Sequence, residues 1–213
     1  MINVTISKPQ KLAIIAIDLI NKFIIKNNIK DFNLEIIYDY DLKDEDEPLR
    51  GIYYYNKPFK IFINPLNCED HENSIAVDFY KFYCGYTKDL TLYGVIIHEF
   101  CHCIIEERFK PLTKDYCKEF STRRLYLNDY SDNTIDDEIA EAMTLYLTNP
   151  YLLKLISKDH FNFFKKYFFS PLPSSNNKLY LIYNSFPQSI KLDLNNKWKI
   201  FYNFELNKFE KKD

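Results

Sequence analysis

The chain has 213 residues, 46% hydrophobic and 17% aromatic, which is enough to fill a sizeable core and excludes wholesale disorder. Lysine and arginine number 28 against 30 aspartate and glutamate, so the basic excess of a general nucleic-acid or anionic-membrane binder is missing. The glycines, Gly51, Gly85 and Gly94, are too few and too scattered for a phosphate-cradling loop or a dinucleotide fingerprint.

Ser7 and Lys8-Pro9 open a predicted helix with Leu12, Ile15, Leu19, Ile20 and Phe23 at helical spacing. The apolar stretch Leu12–Ile25 is broken by Asp18, Asn21 and Lys22, and no apolar run approaches the ~20 residues of a membrane span. A strand over Leu34–Tyr40 precedes the acidic loop Asp41–Pro48. Gly51–Tyr55 and Phe59–Ile63 read as a hairpin around Asn56-Lys57-Pro58. Helices are expected over Ser74–Tyr83, over Leu90–Arg108 closed by Pro111, and over Ile135–Thr148 capped by Thr134. Two short helices follow in Tyr151–Phe169. After Pro171 the character changes, and Leu179–Asn184, Ile190–Leu194 and Lys197–Phe204 read as a three-strand meander. The expected layout is an α+β domain over residues 1–172 with a small β appendage over 173–213.

The five cysteines (Cys68, Cys84, Cys101, Cys103 and Cys117) lack a paired framework, which points to free thiols in a reducing, cytoplasmic setting. The wealth of Asn, Lys, Ile, Tyr and Phe suggests an A+T-rich coding sequence and a viral association.

Nearly every residue of Leu90–Ile105 is apolar, the mark of a helix buried on most sides. His98, Glu99 and His102 are the conspicuous exceptions. One turn apart, the two imidazoles point at one spot with a carboxylate beside them. Burying that cluster uncompensated would cost several kcal/mol. A divalent metal compensates it, and His-Glu-x-x-His on a helix is the zinc-peptidase arrangement. A catalytic zinc site uses three protein ligands, so one more is needed. His160, among Lys158, Asp159 and Asn162, reads as a surface residue. The acids Asp136, Asp137, Glu138 and Glu141 on Ile135–Thr148 are the candidates. Asp137 and Glu141 share a face, so one could bind metal while the other orients a ligand histidine; Asp137, three residues after Thr134, also suits a capping box. Cys101 and Cys103 read as core packing.

His98-Glu-Phe-Cys-His102, then Tyr130, then Asp137-Glu-Ile-Ala-Glu-Ala, resembles the gluzincin peptidases related to anthrax lethal factor, whose relatives occur in phage and mobile elements. The resemblance covers about Tyr93 to Phe168. It implies a zincin-like core, zinc as cofactor and a peptide or protein substrate. It implies His98, His102 and Asp137 as metal ligands, Glu141 as the carboxylate behind a ligand histidine, Glu99 as the proton carrier and Tyr130 as a catalytic donor to the oxyanion. The family has Glu where this chain has Asp137, which leaves Glu138 as an alternative third ligand. An extended substrate is expected along an edge strand such as Phe59–Ile63. The competing expectation is a degenerate zincin serving virion structure or assembly, with the appendage as a docking element.

Overall fold

The computed structural model describes residues 2–6, 10–45, 47–68, 91–121, 125, 134–148, 150, 153–154 and 157–169. The helix expected over Ser74–Tyr83, the first of the two short helices at Tyr151, Cys84, Tyr130 and the C-terminal meander lie outside them.

The fold is mixed α+β. In chain order it runs β1 (Ile2–Ile6), α1 (Lys11–Lys26), β2 (Phe32–Tyr38), β3 (Lys43–Asp44), β4 (Glu47–Pro48), β5 (Gly51–Tyr53), β6 (Lys60–Ile63), α2 (Leu92–Arg108), α3 (Lys110–Phe120), α4 (Ile135–Thr148) and α5 (Lys158–Tyr167). Four strands form one sheet in the order β1-β2-β6-β5, with β1 and β6 parallel to β2 and β5 antiparallel to β6. The acidic loop carries its own two-residue ladder, β3 against β4.

The helix α1 links two parallel strands, as such pairs require. Its buried face is Leu12, Ala13, Ala16, Leu19, Ile20, Phe23 and Ile24. The strand β2 alternates buried Phe32, Leu34 and Ile36 with exposed Asn33 and Glu35, so one face of the sheet meets the helices. Strand β1 was not foreseen, and it corrects the expected edge. Phe59–Ile63 lies inside the sheet, because β1 and β2 continue it on that side. Among the described residues the edge position beside it belongs to β5.

The helix α2 packs against α1, α3, α4, β5 and β6, which explains its all-round apolar sequence. Thr91 caps it, its hydroxyl accepting from the Gly94 N–H at 3.4 Å. Pro111 does not end the chain's helical run as expected. It stands in the first turn of α3, where a missing N–H costs nothing, and the break falls at Phe109 instead.

Phe59 enters β6 in a left-handed conformation, φ 58°, uncommon for a bulky side chain. Its ring meets Phe32 edge-on at 5.1 Å and lies under the Arg108 guanidinium at 5.2 Å. His160 also departs from expectation: it is 3% exposed and stacks on Phe120 with ring centroids 3.8 Å apart. No helix among the described residues is long and apolar enough to cross a membrane.

Candidate metal centre

His98 and His102 project from adjacent turns of α2, and their Nε2 atoms come within 3.1 Å of each other. Asp137 enters from the first turn of α4, with Oδ1 3.5 Å from His102 Nε2. One donor atom from each of the three lies within 4.8 Å of the others, a group that could hold a metal ion. For ligands at about 2.0–2.1 Å, a tetrahedral site has edges of about 3.3 Å. The two edges that meet at His102 Nε2, 3.1 and 3.5 Å, are close to that, and all three donor atoms lie within 4.8 Å of one another. Aspartate is one methylene shorter than the family's glutamate, and α4 lies close enough to bring its Oδ1 to 3.5 Å from His102 Nε2.

Local structure aims this carboxylate. Thr134 receives the Asp137 N–H on its hydroxyl oxygen at 3.1 Å and donates its own proton to Asp137 Oδ2 at 2.7 Å. The Thr134 hydroxyl thus caps the helix as expected and also fixes the carboxylate, which meets that hydroxyl where a capping box would meet the backbone N–H; Oδ1 is left for the histidines. Burial would raise the Asp137 pKa, but the hydrogen bonds with His102 and Thr134 and the nearby histidines hold it below the usual carboxylate value. Burial likewise pulls His102 down, and the bond to Asp137 with the charges of Glu99, Asp137 and Asp136 outweighs it, so its pKa is raised.

Glu141, 2% exposed, lies one turn further along α4 with Oε1 3.3 Å from His98 Nδ1. It faces the ring nitrogen opposite the candidate ligand atom. A carboxylate in that place suits the partner that orients a ligand histidine from behind. Glu138 is turned elsewhere: fully buried, its Oε1 accepts from the Tyr116 hydroxyl at 2.8 Å and from the Leu125 N–H at 2.9 Å. One residue of helix rotates it about 100° from Asp137 and commits it to the core, which corrects its standing as an alternative ligand.

Glu99, 7% exposed, shares a cleft of about 100 Å³ with His98, Glu141, Arg50, Gly51 and Gly94. Tyr55, exposed just beyond β5, has its pKa raised by partial burial of its ring and by the charges of Asp136, Glu106, Asp137 and Glu99. Nothing in the sequence singled out Tyr55, Arg50 or Gly51, since only the fold brings β5 over α2. The thiol of Cys103 is pushed up to about 12 by burial and by Glu107, and that of Cys101 is pushed up mainly by burial. Both are buried core side chains, as expected, and Cys101 accepts the Thr144 hydroxyl at 3.6 Å. Cys68, Cys101, Cys103 and Cys117 are free thiols.

Comparison with family models, with curated proteins and with solved structures finds no match to this chain.

Proposed function

We propose that this chain is a zinc-dependent endopeptidase with a zincin-like core. The observation that carries the reading is the gathering of His98, His102 and Asp137, their donor atoms all within 4.8 Å of one another, with Glu141 behind His98. The donor set of two imidazoles and one carboxylate suits zinc, and the residues fit it. When bound, zinc lowers the pKa of a coordinated water to about 7 and polarises a carbonyl.

The chain's own groups supply the rest. Glu99 is one helical position from His98 and opens into the same cleft, so its carboxylate takes the proton of the attacking water and delivers it to the leaving amine. Thr134 and Glu141 hold Asp137 and His98 in place while charge develops. The resemblance assigns the oxyanion to Tyr130. An extended peptide aligned along the β5 edge would pass over α2 and present its scissile bond to Glu99. Aspartate in place of the family's glutamate and the β appendage both permit a degenerate assembly protein, and a carboxylate 3.5 Å from His102 Nε2 supports the enzyme reading.

The test is metal content of the purified protein beside His98→Ala and Asp137→Ala, followed by cleavage of a peptide library with Glu99→Ala as control. About one zinc per chain, lost in both metal-site variants, and cleavage abolished by Glu99→Ala are expected. A wild type that takes up no zinc on reconstitution refutes the proposal.

A further inference from the structure

Glycine is scarce in this chain, three residues in all, and one of them, Gly51, opens β5 where that strand crosses α2. Its backbone needs no left-handed φ, so conformational freedom does not explain it. Space does. A methyl group on its Cα would stand 2.7 Å from Val95 Cγ1, 2.9 Å from Glu99 Cγ and 2.9 Å from Ile63 Cδ1.

Ordinary contact begins at 3.4 Å, so all three approaches are overlaps. The strand cannot readily retreat. Gly51 is paired with Ile63 in the β5–β6 ladder, and the neighbouring Arg50 carbonyl accepts from the Asn64 N–H at 2.8 Å. Ile63 Cδ1 is the free end of a flexible side chain and can swing aside. Val95 is β-branched and stiff. The Glu99 stem therefore takes up much of any added bulk.

We infer, resting on the peptidase reading above, that Gly51 is a positioning residue whose missing side chain seats the Glu99 stem and sets its carboxylate in the cleft shared with His98. The sheet edge that would align a substrate thereby also fixes the proton carrier, so the two move as one unit.

The test uses the full chain as Gly51→Ala and as the triple variant Gly51→Ala, Val95→Ala, Ile63→Val. The triple variant removes the two apolar overlaps and leaves Glu99 as the remaining one. Zinc content should equal the wild type in both, since no ligand is touched. On a fluorogenic peptide drawn from the library that the wild type cleaves, kcat should fall about ten- to a hundred-fold in both, with KM within about three-fold. The triple variant should recover the melting temperature without recovering kcat. Crystals of both should show Glu99 displaced by about half an ångström or more. Recovery of kcat together with melting temperature would make Gly51 a packing residue only and overturn the inference, as would loss of zinc or a rise in KM alone. A wild type that binds zinc but cleaves nothing refutes the peptidase reading instead. The crystals then decide separately, and an unmoved Glu99 overturns the inference.

Discussion

Replacing His160 with phenylalanine should remove a specific acid sensitivity from the fold. His160 is 3% exposed, its Nδ1 lies 2.7 Å from the Ser157 hydroxyl, and its Nε2 is buried with no hydrogen-bond partner among the described residues. Burial pulls its pKa from 6.5 to about 4. The sign follows from proton counting: between those values the unfolded chain binds a proton that the native state refuses, so stability falls as pH falls. Two and a half units at 1.36 kcal/mol each come to about 3 kcal/mol, fully retained above pH 6.5 and lost by about pH 4. Against a typical domain stability of about 5–15 kcal/mol that loss is measurable. Phenylalanine keeps the stack on Phe120 and cannot titrate. The assay is urea unfolding of both proteins from pH 7.5 to 4 after removal of metal by EDTA, so that His98 and His102 contribute equally to both. The difference between the two stability curves should change by about 3 kcal/mol across the window. Curves that stay parallel would refute the reasoning.

Zinc at about a thousand times its dissociation constant should stabilise the fold by about 4 kcal/mol, read as a fall in melting temperature when EDTA is added. Thr134→Ala should cost about 1 kcal/mol through the lost cap and weaken zinc about ten- to a hundred-fold, because Asp137 Oδ2 loses its 2.7 Å anchor; titration with a chromophoric chelator measures the second effect. Glu138→Ala should leave zinc stoichiometry intact yet destabilise the chain by about 2–4 kcal/mol, since it orphans the Tyr116 hydroxyl and the Leu125 N–H. Loss of zinc in that variant would return Glu138 to the ligand set. Asp137→Glu should bind zinc more weakly than the wild type, the longer arm overshooting a site whose edge is already 3.5 Å.

Much of the site was legible because a polar residue on a buried helix is expensive, and His98, Glu99 and His102 stood out against that cost. The helix bearing Asp137 and Glu141 was equally plain, from its cap and its i, i+4 acids. Which acid faced the histidines was not, since neighbouring acids at a helix start all suit the dipole and only the packing of α4 on α2 separates them. Asp137 was the residue the resemblance named; Glu138 was lost to a core hydrogen bond that no local pattern announces. The 3.6-residue periodicity of α1 was readable, whereas β1, Ile2–Ile6, was not singled out and its absence misplaced the sheet edge. Pro111 misled because proline both stops helices and starts them, and the outcome turns on where Phe109 breaks the backbone. His160 misled because charged neighbours in sequence say little about a residue one helical face away.

Phe59 places two requirements on one position that no single residue satisfies together. Its φ of 58° favours glycine or asparagine, while Phe32 and the Arg108 guanidinium need an aromatic ring there. This is local frustration, and the chain resolves it in favour of the ring. Its carbonyl accepts from the Glu35 N–H at 2.8 Å, so the awkward backbone also sets where β6 begins against β2. A substitution scan at this position should therefore show no stabilising replacement: glycine relaxes the backbone and empties the core, and other aromatic residues keep the core and inherit the strain.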